Sequence, residues 1–165
     1  MKNTSFVSPL AFWARAVGAA STEVAVIGAV KDYERGDYAH ALVPLTELAE
    51  SGSSKAQHYL ARMYANGEGV EQDAEAAIAW YLEAAHGGYP AAQERLGHVY
   101  ADGDLGVAAD SSRAFAWLDI AAATGNVEAA KARDMTAAGM GPAELKQGRS
   151  LSIELTAKPL YLLER

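Results

Sequence analysis

Leu60-Ala61-Arg62-Met63-Tyr64-Ala65-Asn66-Gly67-Glu68-Gly69-Val70, followed by Asp73, Ala77, Trp80, Ala84-Ala85 and Gly88, decides the fold because it occurs twice. The second copy reads Leu96-Gly97-His98-Val99-Tyr100-Ala101-Asp102-Gly103-Asp104-Leu105-Gly106-Val107, then Asp110, Ala114, Trp117, Ala121-Ala122 and Gly125. Leu60, Tyr64 and Gly67 recur after 36 residues, whereas Val70, Asp73, Trp80 and Gly88 recur after 37. One residue has entered the glycine turn, where added length costs least. Self-similarity at this period is the mark of stacked helix-turn-helix units, each unable to hide its apolar stripe without a neighbour.

Outward from the two copies, the same grammar continues. Towards the N-terminus an apolar helix is expected from about Thr22 to Glu34, stopped by Gly36. Asp37 then caps a helix over Tyr38 to Glu50, which Pro44 should bend. The first full unit pairs a helix A from Lys55 to about Ala65 with a helix B from Ala74 to about His86, capped by Asp73. Pro90 opens the next helix A, where its missing amide hydrogen does no harm. Asp110 caps the following helix B. Asn126 to about Ala138 reads as a degenerate helix A, and Pro142 opens a last helix to about Thr156 with Leu145, Leu151 and Leu155 on its buried face. Trp80 and Trp117 are expected to bury large areas between units, and the paired turn glycines to take positive backbone angles.

This pattern resembles the Sel-1-like repeat, a relative of the tetratricopeptide repeat. The carriers are alanine, leucine, a small residue, tyrosine, Gly-x-Gly-Val, aspartate, alanine, tryptophan, Ala-Ala and glycine at the positions quoted. The stretch Tyr33 to Tyr38 with Ala41, and Arg133-Asp134 with Pro142-Ala143-Glu144-Leu145, also resemble small bacterial members. Ala61 departs from the glycine usual in helix A, and the second turn is longer by one residue. The resemblance implies an all-α, right-handed α-solenoid with a C-terminal capping helix, in units of about 22–52, 55–88, 91–125 and 126–156. It implies a scaffold or adaptor for other proteins, often in the bacterial envelope or in regulatory complexes, with no catalytic residues and no cofactor.

Composition narrows the function classes. The formal net charge is -7, from 14 basic against 21 acidic side chains, without a basic stripe for a nucleic-acid backbone. There are no cysteines, which removes disulfides, thiolate zinc sites and a cysteine nucleophile. Gly-Glu-Gly and Gly-Asp-Leu-Gly lack the preceding strand and following Lys-Ser of a phosphate loop. No serine has a histidine partner in a recognisable motif. His58 and His98 fall on adjacent A helices without the fixed i,i+3 or i,i+4 spacing of a metal site, and His40 and His86 read as surface residues of B helices. No catalytic, cofactor or metal residues are therefore assigned.

In such a stack the A helices line the concave face. Positions of helix A not used for packing are Lys55, His58, Tyr59 and Arg62 in one repeat and Glu94, Arg95, His98 and Val99 in the next, with Glu23 and Val26 extending the row. This strip is expected to receive a peptide or protein, with tyrosine and arginine as anchors; the bland alternative is a solvated face. A second function class is an assembly subunit, possibly of an envelope complex, docked through an N-terminal arm (Phe6 to Trp13) and an apolar tail (Pro159 to Leu163). That division leaves residues 1–21 as an arm or signal-like segment, 22–156 as the solenoid and 157–165 as the tail. One lysine, a short apolar run and an alanine-rich exit loosely resemble a secretory signal, which Pro9 and Arg15 spoil. The compartment stays open: periplasmic or secreted if residues 1–20 act as a signal, cytoplasmic otherwise. The apolar run is too short to span a bilayer.

Overall fold

The computed structural model describes the backbone of residues 9–157 and the side chains of residues 21–157. Over this span the chain runs through α1 (Pro9–Glu34), α2 (Tyr38–Glu50), α3 (Ser54–Asn66), α4 (Ala74–His86), α5 (Pro90–Asp102), α6 (Ser111–Ala123), α7 (Val127–Ala138) and α8 (Pro142–Ala157), with no strand among the described residues. Successive helices pack as antiparallel hairpins, α1 on α2, α3 on α4 and α5 on α6, and each hairpin packs on the next through α2 on α3 and α4 on α5. The result is an α-solenoid. Among the described residues no helix is long and apolar enough to cross a membrane.

Helix starts follow their caps. The carboxylates of Asp73 and Asp110 accept the amides of Ala76 and Arg113 at 3.0 and 2.9 Å, satisfying donors that the first turn leaves orphaned. Ser53 and Asn126 do the same for α3 and α7. Gly67 and Gly103 end α3 and α5 with φ of 71° each, in the left-handed region that side chains resist. In the longer second turn the extra residue is Leu105, held at φ 54° with its amide donating to Asp104 Oδ1 at 2.8 Å.

Between hairpins the core is built from alanine and leucine, with aromatic wedges. One cluster joins Val26, Val30 and Tyr33 of α1 to Ala41, Leu45, Leu60 and Met63; a second joins Ala61, Ala77, Tyr81, Ala84, Leu96, Ala114 and Trp117. Trp80 is half-buried and touches both clusters, while Trp117 is only 3% exposed. The two tryptophans hold equivalent places, but the second is also covered by Leu155 of α8. A repeated hydrogen bond also fastens the units: Gln57 Nε2 donates to the Ala49 carbonyl at 3.1 Å, and Gln93 Nε2 to that of Ala85 at 3.0 Å.

Three features differ from the sequence expectation. α1 begins at Pro9 rather than near Thr22, so the first helix is twice the expected length. α8 lies on α6 and not along α7, and its contact line is made by Gly148 and Ser152, with Leu145, Leu151 and Leu155 only half-buried beside it. A Cβ at Gly148 would stand 2.9 Å from Phe115 Cδ1 and 3.2 Å from the Ser112 carbonyl, so the two helices approach too closely for a larger residue. His86 is no simple surface residue either: its Nδ1 lies 2.7 Å from the Leu82 carbonyl and its ring stands edge-on to Trp117 at 5.3 Å. The tail at Pro159 to Leu163 and the side chains of Phe6 to Trp13 lie outside the described residues.

Candidate functional site

Where α3 and α5 lie side by side, a cavity of about 380 Å³ opens to solvent, lined by His58, Arg62, Asn66, Tyr81, Ala91, Glu94, Arg95 and His98. Five of the eight residues expected to face a partner therefore share one concavity: His58, Arg62, Glu94, Arg95 and His98. They reach it because i and i+4 positions of a helix share a face, so His58 with Arg62 and Glu94 with His98 point the same way from adjacent units.

The other three fall elsewhere. Val99 is 0% exposed. Its helix is sandwiched between α4 and α6, so its apolar stripe is wide enough to include Val99 with Ala92, Leu96 and Tyr100. Lys55 is half-buried and does not line the cavity. Tyr59 lies beside it, its hydroxyl donating to Glu34 Oε1 at 3.4 Å. Of the two residues that were to extend the row, Val26 is in the core and Glu23 is exposed. Asn66 and Tyr81 were missed. Asn66 stands one turn beyond Arg62 on the same face, which the helical period could have revealed. Tyr81 reads as a packing residue and is one, being 2% exposed, yet it also forms the cavity floor.

Charge is distributed unevenly over these residues. Arg95 Nη2 donates to Asp104 Oδ2 at 2.6 Å, so Arg95 is paired with a carboxylate. The Asp104 carboxyl is held below the usual carboxylate range, first by the Leu105 amide and then by Arg95. Glu94 accepts from Asn126 Nδ2 at 2.6 Å and lies 3.9 Å from His98 Nε2. Arg62 has no ion-pair partner among the described residues; its guanidinium stacks over the rings of Tyr33 and Tyr59, at 5.0 and 5.6 Å from their centroids. Tyr33 is fixed in turn by donating its hydroxyl to Glu68 and packing at 5.1 Å against Tyr59.

His58 sits among aromatic rings, 5.1 Å from Tyr89, 5.5 Å from Tyr59 and 5.6 Å from Tyr81. It is 8% exposed. Burial, and then the nearby Arg62 and Arg95, push its pKa down to about 4, so the imidazole is neutral at physiological pH. Its Nδ1 has no hydrogen-bond partner. Burial likewise raises the Tyr81 and Tyr89 hydroxyls, so both are protonated donors at neutral pH. Among the described residues no group of three or more histidines and carboxylates is placed to hold a metal ion. Among the described residues the site offers hydrogen bonds, aromatic faces, an arginine without an ion-pair partner, Arg62, and a carboxylate, Glu94, bonded to the neutral Asn126.

Comparison with known proteins agrees with this architecture. The Sel1 repeat model matches residues 54–89 and 90–126. A solved protective antigen present in uropathogenic Escherichia coli strains, displaying an SLR fold, aligns with a TM-score of 0.77 and 27% identity over 86% of this chain. The chain spans 31% of that protein's length. A Sel1 repeat protein from Oxalobacter formigenes aligns with a TM-score of 0.61 and 35% identity, covering 71% of this chain and 90% of that one. No curated protein matches. Sel1 repeats typically serve as non-catalytic scaffolds of protein interaction. With two tandem Sel1 motifs and a Sel1 repeat protein matched over 90% of its length, the chain belongs to the Sel1 repeat family.

Proposed function

We propose that this protein is a non-enzymatic interaction module that receives a peptide or protein segment in the groove between α3 and α5. The observation that supports the reading best is the cavity itself, which draws His58 and Arg62 from one repeat and Glu94, Arg95 and His98 from the next. A solvated face has no need of a concavity floored by a buried tyrosine, and no need of an arginine stacked on two aromatic rings. Arginine and tyrosine are also among the side chains that most often anchor interfaces, tyrosine because it buries a large area with little loss of side-chain freedom and arginine because its planar fork is directional.

The test is affinity capture from the native cell with the intact chain as bait, against a doubly charge-reversed Arg62→Glu, Arg95→Glu chain of unchanged circular dichroism. The groove reading expects partners retained by the first and lost by the second. Equal capture by both would reject it. The alternative reading, an assembly subunit, draws on Met135 and Ile153, which are 78% and 69% exposed on the last two helices. It expects an oligomer in light scattering of the purified chain, where the groove reading expects a monomer.

A further inference from the structure

The chemistry of the cavity narrows what enters it, and this step rests on the groove reading above. We infer that the cavity grips a carboxylate of an acidic peptide, with the edge of the Arg62 guanidinium as the principal contact. Arg62 is the cavity's one cation without an ion-pair partner among the described residues. Arg95 is bound to Asp104, and Glu94, which keeps its charge, is turned to the amide of Asn126 and lies 3.9 Å from His98. Both Tyr33 and Tyr59 lie within 6 Å of the Arg62 guanidinium carbon, at 5.0 and 5.6 Å, and their own centroids are 5.1 Å apart, so the two rings hold it from one side. The other side is left to a ligand, to which a guanidinium offers its N–H groups as a planar fork. That fork matches the two oxygens of a carboxylate, and such bidentate pairs are stronger and more directional than a single hydrogen bond.

The surroundings favour the same ligand. Asn66 adds an amide one turn beyond Arg62. His58, neutral and more than nine-tenths buried at the cavity wall, has an Nδ1 with no partner in the protein. That Nδ1 is itself shielded from solvent, so what the neutral ring brings to the cavity wall is the absence of a competing charge. The acidic character of the whole chain, net -7, does not forbid this. At physiological ionic strength charges beyond about 8 Å are largely screened, whereas a contact pair is not.

The experiment selects random dodecapeptides displayed on phage against the intact chain, then synthesises the strongest binder and its Glu/Asp→Gln/Asn counterpart. The expected result is an enriched acidic residue, with affinity falling about tenfold or more when it is neutralised. Arg62→Lys, which keeps the charge and loses the fork, should cause a similar fall, with the dichroism spectrum unchanged. Binders indifferent to both changes would overturn the carboxylate assignment while leaving the groove reading intact, provided charge reversal at Arg62 and Arg95 still abolishes their binding. Inorganic phosphate displacing the peptide at concentrations where acetate does not would also overturn it. Failure of any peptide to enrich would overturn the acidic-peptide assignment, while capture from the native cell decides the groove reading separately.

Discussion

Position by position, the two repeats keep their packing residues and exchange their surface ones. His58, Tyr59 and Arg62 stand where Glu94, Arg95 and His98 stand one repeat later. The core pairs also adjust to one another: Ala61 faces the layer of Tyr81, and Gly97 faces Leu118, whose Cγ would lie 2.5 Å from a Cβ added there. Gly97→Ala sets two effects in opposition. Helix propensity favours alanine by about 1 kcal/mol, while overpacking against the fully buried Leu118 costs about 1–3 kcal/mol. The clash is expected to win in urea denaturation, and the same substitution in a Leu118→Ala background should become neutral or stabilising. His58 makes the second residue-scale prediction. Its folded pKa of about 4 lies below the ordinary 6.5, so between these values the unfolded chain binds the proton and the folded one does not. Stability attributable to this site is therefore complete above pH 6.5 and declines as pH falls towards 4, by an amount on the order of 2–3 kcal/mol. In denaturation at a series of pH values, His58→Gln should flatten that slope relative to the parent; parallel slopes would mean that His58 is not held neutral. The sequence placed His58 and Arg62 on one helical face but gave no warning that His58 would be walled in by Tyr59, Tyr81 and Tyr89, since three separate elements bring those rings together.

At the scale of elements, caps and turns were legible because their signals are local. Asp73 and Asp110 each bond an amide three residues on, and Gly67 and Gly103 close their helices in the same left-handed conformation. The seat of α8 was not legible. A stripe of leucines suggests the buried face of an isolated helix, but the approach of α8 to α6 is set by the smallest residues, Gly148 and Ser152, with Ser112 Oγ donating to the Glu144 carbonyl at 3.2 Å. Nor did the degenerate landmarks of α7 reveal that α8 would turn back over Trp117 rather than pair with it. Gly148→Val tests this placement. It should cost about 1–3 kcal/mol and raise amide exchange in residues 142–157, with α3 and α5 unchanged. Undisturbed exchange in α8 would show that the two helices do not meet at Gly148.

Over the whole molecule, the stacking of like units creates what neither contains alone. Each core cluster draws on more than one hairpin, and the cavity is shared between two repeats. In a solenoid such interfaces carry much of the stability, so the groove is held by the same contacts that hold the fold. Among the described residues Arg62 gives the groove an unpaired cation that the net value of -7 conceals. The most direct test of the shared groove is hydrogen–deuterium exchange of the intact chain with and without the peptide selected against it. Binding should protect residues 54–66 of α3 and 90–102 of α5 together, at one ligand concentration. Protection confined to one of these helices, or appearing instead on α7 and α8, would contradict the account.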